Sequence, residues 1–267
     1  MKHSPFRPFV FVAILILATS LACGIDLGNK TQEPAPQPIA PATQPPAQPP
    51  VEQPSVAPPT ATVAPPTATV PPASPFFKET FDTDVLGNWS SFVITGDSDA
   101  DRSKSKFSIE NGRLVFDLND EQLYAYLIYD KQTYDDVKVE LSADNRGRNT
   151  NNISLICRYS DAGWYEFSIT SSGLFQVWAY DAKGAVHKGY NLINSGGSNA
   201  IKMGKETNVY AISCVDNHLT LTINGEESAD FTESKYGFRN GKVGINISSL
   251  NVIPVIVEID YFDIQQP

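Results

Sequence analysis

The chain has 267 residues, and its 20 Lys and Arg against 30 Asp and Glu give a formal net charge of −10. Residues 76–267 hold 17 of the basic and 27 of the acidic side chains, so the charge belongs to this part of the chain. An acidic surface repels phosphate backbones and anionic headgroups, which argues against nucleic acid and against a membrane surface as direct partners. A segment of about 190 residues is long enough to bury one well-filled core.

Residues 1–22 have the pattern of an export signal. Lys2 and Arg7 provide a basic start, and residues 9–21 form an apolar run that is too short for a comfortable membrane span. The run ends at SLACG, around Cys23, and resembles bacterial lipoprotein signals, which are cut before a cysteine that then carries lipid. The resemblance implies an exported protein, lipid-anchored at Cys23 to the outside of the bacterial cell membrane and touching the membrane only through that anchor. An ordinary signal peptide cut nearby, or an uncleaved anchor, is the alternative.

Residues 23–75 are predicted to form a tether. Sixteen of the twenty prolines lie in residues 31–75, and the heptad APPTATV occurs twice in succession, at 57–63 and 64–70. Proline fixes φ and lacks a backbone donor, so we predict a disordered, proline-rich spacer with no helix or sheet. Its reach is on the order of 100 Å, since polyproline II rises about 3.1 Å per residue. A proline-rich recognition ligand is the alternative, but no basic residue lies within the run to orient such docking.

Residues 76–267 are predicted to be all-β. Asn111-Gly112 separates two strand-like segments and is a strong hairpin signal. Further strands are predicted at 137–143, 153–159, 164–170, 174–181, 209–215, 219–223, 241–248 and 255–264. Helical spacing is not evident, and many strands joined by short polar turns are typical of a sandwich or a barrel.

The cysteines agree with export. With Cys23 set aside for lipid, Cys157 and Cys214 remain, each in a strand-like apolar segment. In an oxidising compartment such a pair predicts a disulfide. Two buried free thiols are the alternative, because unpaired cysteine packs well as a small apolar residue.

Several segments of residues 76–267 together carry a resemblance to known domains. They are FKETFD at 77–82, Trp89, IENGRL at 109–114, ICRY at 156–159, WYEF at 164–167, LTLTING at 219–225 and IDYFDI at 259–264. They resemble bacterial laminin-G-like domains and the concanavalin A-like lectin/glucanase superfamily, including its 3-keto-disaccharide hydrolase-like branch. The resemblance implies a two-sheet antiparallel jelly-roll sandwich with its first and last strands adjacent. Lectins, glycosidases and adhesion modules share this fold, so the resemblance alone does not decide the function.

One motif suggests catalysis. The sequence EIDYFD, with Glu258, Asp260 and Asp263, approximates the Glu-x-Asp-x-x-Glu signature of laminarinase-type glycosidases. Retaining hydrolysis needs two carboxyls about 5–5.5 Å apart. Here the last acid is one carbon shorter, and the motif lies on the last strand and not in mid-domain. The interpretation that we favour is an amphipathic strand with Ile259 and Tyr261 on one face and Glu258 and Asp260 on the other.

A second motif suggests a cation. Asp97, Asp99 and Asp101 alternate, as the carboxylates of calcium loops do. The loop lacks the glycine and the distal acid of EF-hand-type sites, so we favour a solvated acidic loop. A calcium site at the rim of the sandwich, using Asp82 or Asp263, is an equally open alternative, and no other cofactor is predicted.

The predicted ligand site is aromatic. If the turn at 170–173 closes a four-residue hairpin, the side chains from two strands that share one face are Tyr165, Phe167, Gln176, Trp178 and Tyr180. Sugar rings stack on Trp and Tyr, while amides and guanidinium groups bind their hydroxyls. With Phe167 assigned to the core, the predicted ligand-binding residues are Arg158, Tyr165, Gln176, Trp178 and Tyr180. In the alternative, this is the core face and Trp164, Phe175 and Val177 point outward.

The sequence thus favours a membrane-tethered extracellular binding module whose partner is a glycan or another cell-surface molecule, most plainly a carbohydrate. Two other classes of function stay open. One is a glycoside hydrolase of the same superfamily, and the other is a protein–protein adhesion or assembly domain.

Overall fold

The computed structural model describes residues 74–148 and 150–267. Short 3-10 turns occur at Leu86–Asn88 and Arg102–Lys104, and no helix in this part of the chain is long and apolar enough to cross a membrane. The predicted signal peptide, Cys23 and almost all of the tether lie outside the described residues. The strands are β1 (Phe77–Glu79), β2 (Trp89–Thr95), β3 (Ser105–Glu110), β4 (Arg113–Leu118), β5 (Leu123–Tyr129), β6 (Val137–Asn145), β7 (Asn151–Ser160), β8 (Gly163–Thr170), β9 (Leu174–Asp181), β10 (Gly189–Gly197), β11 (Asn208–Val215), β12 (His218–Ile223), β13 (Glu226–Thr232), β14 (Lys242–Ser249) and β15 (Val255–Gln265).

The strands form two antiparallel sheets. The eight-stranded sheet has the order β13-β12-β11-β6-β15-β4-β3, and β1 also pairs with β15. The seven-stranded sheet has the order β10-β9-β8-β7-β14-β5-β2. Phe77 lies opposite Ile264, so the first and last strands are adjacent, as the resemblance implies. The prediction of a two-sheet jelly-roll sandwich is confirmed.

The core lies between the sheets and follows the alternation of each strand, as β15 illustrates. Val257 and Ile259 are buried, but the register shifts between Ile259 and Tyr261, so Phe262 becomes the next buried residue. Tyr261 is only half-buried, and its hydroxyl donates to Glu140 at 2.8 Å. The prediction that Tyr261 shares a face with Ile259 is wrong, because a β-bulge inserts one residue and reverses the alternation.

A disulfide joins the two sheets through the core. Cys157 of β7 in the seven-stranded sheet bonds to Cys214 of β11 in the eight-stranded sheet, and both cysteines are fully buried. The predicted pairing is confirmed, and neither cysteine is a free thiol. The bond closes a loop of 57 residues and constrains the unfolded chain accordingly.

Candidate functional site

The register between β8 and β9 decides which side chains face outward. Glu166 lies opposite Trp178, and Tyr165 lies opposite Ala179. Gly173, with a φ of 94°, ends the turn between the two strands. Because side chains alternate with a period of two, a shift of one residue moves a whole strand face to the other side of the sheet. The observed register is one residue away from the register that would unite the predicted ligand residues.

The predicted residues therefore divide between two faces. Tyr165 and Phe167 point into the core and are 1% and 0% exposed, whereas Gln176, Trp178 and Tyr180 lie on the outer face of the seven-stranded sheet. The prediction that all five share one face is wrong, although Phe167 is in the core as expected.

The alternative assignment of this face fails as well. Phe175 and Val177 are core residues, while Trp164 belongs to a second apolar cluster together with outward-facing Tyr126. The favoured prediction and its alternative therefore each assign to one face residues that lie on different faces of the sheet.

Arg158 lies apart from this outer face. It is placed at the bulge of β7 with a φ of 57°, and its side chain is 1% exposed. Its Nη1 donates to the carbonyl of Phe238 at 2.8 Å, and its Nη2 lies 3.5 Å from Asp136. The guanidinium holds loops together, so the predicted role of Arg158 in ligand binding is wrong.

A cleft of about 550 Å³ lies on the outer face of the seven-stranded sheet. Strands β5, β7, β8, β9 and β14 all contribute side chains to it. One cross-strand row on this face consists of Tyr126, Asn246, Ser154, Ser168 and Gln176. This row places hydroxyl and amide groups at positions that alternate with buried core residues, beside the apolar and aromatic side chains that also line the cleft.

Glu166 lies at the base of the cleft. Its side chain is buried, and its Oε2 accepts hydrogen bonds from the Tyr126 hydroxyl at 3.2 Å, the Tyr190 hydroxyl at 3.3 Å and Trp164 Nε1 at 3.3 Å. The two tyrosine hydroxyls also bond to each other. Burial raises the pKa of Glu166, and the hydrogen bonds oppose that rise. Among the described residues that line the cleft, Glu166 is the only acidic or basic side chain.

Aromatic rings form one side of the cleft. Trp178 and Tyr190 line it, with ring centroids 6.2 Å apart and planes at 87°. Trp164 stacks on Tyr180 at 4.0 Å, beside the cleft. Of the predicted ligand residues, Gln176 and Trp178 line the cleft. Tyr180 does not line it but packs against the lining residue Tyr190, with ring centroids 4.8 Å apart.

Two amides in this region lack partners. Asn246 Nδ2 and Asn152 Oδ1 are buried and have no hydrogen-bond partner among the described residues. Ser248 Oγ donates to Asn246 Oδ1 at 2.7 Å, which orients the free Nδ2 group of that amide. A buried donor or acceptor without a partner is costly. Asn152 lines the cleft, which therefore offers an acceptor that a bound molecule would satisfy, while Asn246 lies fully buried in the strand row of the same face.

With this geometry established, the family can be assigned. The model of the 3-keto-alpha-glucoside-1,2-lyase-like domain matches residues 77–253. The chain belongs to this family. No curated protein matches the sequence.

Solved structures share the fold at low identity. A Bacillus subtilis protein of unknown function with a galectin-like fold is 10% identical, with a TM-score of 0.55 over 71% of this chain and 94% of that chain. A glycoside hydrolase family 16 endo-glucanase from Bacteroides ovatus is 13% identical, with a TM-score of 0.54 over 71% and 99%. The carbohydrate binding module CBM66 from Bacillus subtilis is 9% identical, with a TM-score of 0.50 over 67% and 96%. These structures support the concanavalin A-like sandwich.

In this family member, the glycosidase-like motif lies on β15 of the eight-stranded sheet and not in the cleft. Glu258 is paired with Arg113 at 3.3 Å and with Arg146 at 3.2 Å. Asp260 is exposed and lies 3.5 Å from Arg113, and Asp263 accepts a hydrogen bond within its own strand. None of the three acids is among the described residues that line the cleft.

The acidic loop bonds mainly to itself and to its neighbours. Asp97 accepts the backbone N–H of Asp99 at 3.0 Å, and Asp101 accepts that of Ser103 at 2.9 Å. Hydrogen bonds from Ser103 lower the pKa of Asp101. Within residues 74–148 and 150–267, no group of three or more His, Cys, Asp or Glu side chains is arranged to hold a metal, and this includes the region of Asp82.

Sequence reasoning missed most of the cleft. The lining residues Glu166, Tyr126, Tyr190, Asn152 and Ser248 are not among the predicted ligand residues. A signal for part of the set exists in β14, where Asn246 and the following serine alternate with buried isoleucines. Polar residues on one face of a strand that is buried on both faces indicate a polar groove or a site.

Proposed function

We propose that residues 76–267 bind a carbohydrate in the cleft on the outer face of the seven-stranded sheet. The observation that carries the proposal is that the Trp178 and Tyr190 rings line the same cleft as Asn152, whose buried Oδ1 lacks a partner among the described residues. Sugar-binding sites need an apolar ring surface beside a few convergent polar groups. The family, together with the carbohydrate binding module and the glucanases that share the fold, supports a carbohydrate-related role.

Each part of the cleft has a chemical counterpart on a sugar. The C–H face of a pyranose ring stacks on Trp178, and a ring hydroxyl donates to Asn152 Oδ1. The Gln176 amide lies in the strand row beside Trp178 and provides a further donor and acceptor. Binding therefore supplies the hydrogen bond that Asn152 Oδ1 lacks among the described residues.

Binding without hydrolysis is favoured by the distribution of carboxyls. Hydrolysis of the usual kind needs two carboxyls, about 5–9.5 Å apart, on either side of the scissile bond. Glu166 is the single carboxyl among the described lining residues, and Glu258 is ion-paired on the other sheet. This distribution of carboxyls supports binding over hydrolysis.

A second candidate is the elimination named by the family, and the lone buried carboxyl favours it over hydrolysis. A 3-keto glucoside has an acidic proton at C2. One base suffices to remove that proton while the C1–O bond breaks, leaving a double bond between C1 and C2. The Glu166 carboxylate would take the proton, and solvent would protonate the departing alkoxide. The formation of an unsaturated product from a 3-keto glucoside tests this candidate.

The binding proposal is tested by titrating the purified protein against the positive glycans of an array screen. Trp178→Ala should weaken binding at least tenfold, because hot-spot aromatics contribute about 2 kcal/mol or more. Tyr261→Ala, on the outer face of the eight-stranded sheet, is the matched aromatic control and should leave the affinity unchanged. Equal losses in both variants, or no binding to any glycan, would refute the proposed site.

We also propose that a lipid on Cys23 holds the protein on the outside of the bacterial cell membrane, with residues 23–75 as a spacer. The basic start, the apolar run and the cysteine that follows it support this. Cys23→Ser should release the protein from the membrane fraction or leave an uncut precursor. A variant that fractionates and migrates like wild type contradicts the proposal.

A further inference from the structure

The described lining of the cleft includes one acidic side chain and no basic one. None of the described lining residues is Lys, Arg or His, and the single formal charge available is that of Glu166. The hydrogen bonds to Glu166 Oε2 come from the neutral groups of Tyr126, Tyr190 and Trp164. Unlike the acids on the eight-stranded sheet, Glu166 has no arginine beside it among the described ion pairs.

A bound ring would lie close to this carboxyl. Glu166 is directly opposite Trp178 in the β8–β9 pair, and the Cβ atoms of such pairs are about 4.5–5.5 Å apart. A sugar stacked on Trp178 is therefore well within the screening length of about 8 Å at physiological salt. A carboxylate or sulfate on that sugar would therefore interact with Glu166 with little screening by salt.

We propose that the cleft selects uncharged sugars and that Glu166 is the residue that excludes acidic ones; this inference rests on the carbohydrate-binding function proposed above. As a carboxylate, Glu166 repels an anionic substituent directly, and the described lining holds no cation that could offset this repulsion. The unpartnered Oδ1 of Asn152, by contrast, matches a neutral hydroxyl of an uncharged sugar.

The test uses an array in which neutral oligosaccharides stand beside their C6-carboxylate and 6-sulfated counterparts. The wild-type protein should bind neutral members at least tenfold more tightly than their acidic counterparts. Glu166→Gln keeps the size of the side chain and removes its charge, and it should reduce that ratio at least fivefold. Glu258→Gln removes the same charge from the other sheet and is the matched control for net charge, so its ratio should equal that of wild type.

A second variant guards against a folding defect in Glu166→Gln. Gln176 is partly exposed in the same cleft, and Gln176→Lys places a cation near Glu166. It should improve binding of the acidic members relative to the neutral ones. Equal binding of both classes by wild type, or an equal change of ratio in Glu166→Gln and Glu258→Gln, overturns the role of Glu166. Failure to bind either class overturns the carbohydrate-binding function itself.

Discussion

The outer faces of the two sheets differ in whether their buried polar side chains have partners. On the eight-stranded sheet, Asp144 is paired with Arg113 at 2.7 Å and with Arg146 at 2.5 Å, and it also accepts from the Thr207 hydroxyl. On the seven-stranded sheet, the buried Oδ1 of Asn152 in the cleft has no partner among the described residues. Satisfied charges stabilise a surface, whereas unsatisfied neutral groups in a cleft indicate where a ligand binds.

The comparison also shows why a catalytic sequence motif can mislead. Glu258 and Asp260 have the spacing of a glycosidase signature, yet both approach the arginines of the charged face. Glu166 has no such motif, but it is the acid that lies in the cleft. What distinguishes the two kinds of carboxyl is the set of groups around them, which spacing along one strand does not reveal.

The largest expected effect on stability concerns the disulfide that joins the two sheets. Replacing both Cys157 and Cys214 by Ala should lower the free energy of unfolding by about 2–5 kcal/mol, because the closed loop no longer restricts the unfolded chain. Urea denaturation of the variant, beside oxidised and reduced wild type, measures the change. An unchanged unfolding midpoint would mean that the sheets do not depend on this bond.

The charged face should matter for stability and not for binding. Asp144→Ala leaves Arg113 and Arg146 without their most buried partner, and it should lower the free energy of unfolding by about 1–3 kcal/mol. Calorimetry gives the stability, and glycan titration should give the wild-type affinity. A loss of affinity at unchanged stability would mean that the ligand binds on the eight-stranded sheet and not in the cleft.

The fold was largely predictable because its turns are local signals. Asn111-Gly112 and Asn224-Gly225 both adopt positive φ and join paired strands, as a two-residue hairpin requires. The disulfide was predictable by counting, since one cysteine was assigned to lipid and two remained.

The site was less predictable because it depends on register. The β8–β9 turn places Tyr165 in the core and Trp178 outside, and a difference of one residue reverses this assignment. The bulge near Tyr261 has the same effect in β15. In addition, the cleft joins strands that are distant in sequence, so the meeting of Tyr126 with Glu166 has no local signature.

The two faces should also respond oppositely to pH. Burial raises the pKa of Asp144, but hydrogen bonds from Thr207 and Arg113 and the charge of Arg146 prevail and hold it below its ordinary value. Its contribution to stability is therefore present above the unfolded pKa of about 3.9 and is lost as the pH falls through the folded pKa. Burial raises the pKa of Glu166, so its ionisation opposes folding as the pH rises above about 4.3.

Stability measured against pH separates these contributions. Relative to wild type, Asp144→Asn should lose more free energy of unfolding at pH 7 than at pH 3. For Glu166→Gln, the free energy of unfolding relative to wild type should be higher at pH 7 than at pH 4. Urea denaturation at each pH provides the free energies. Parallel pH profiles for the two variants would mean that the two carboxyls do not differ in the stated way.

The smallest expected effect is at Glu258, the first acid of the glycosidase-like motif. Glu258 is partly exposed, and its partners Arg113 and Arg146 retain Asp144 when Glu258 is neutralised. Glu258→Gln should therefore change the free energy of unfolding by about 0.5 kcal/mol, as is usual for screened surface pairs. Glycan affinity should stay within about twofold of wild type, because the substitution is on the sheet opposite the cleft. The decisive measurement is an assay on β-glucan with both proteins: hydrolysis by wild type that disappears in Glu258→Gln would make the charged face an active site and reverse the roles assigned to the two sheets.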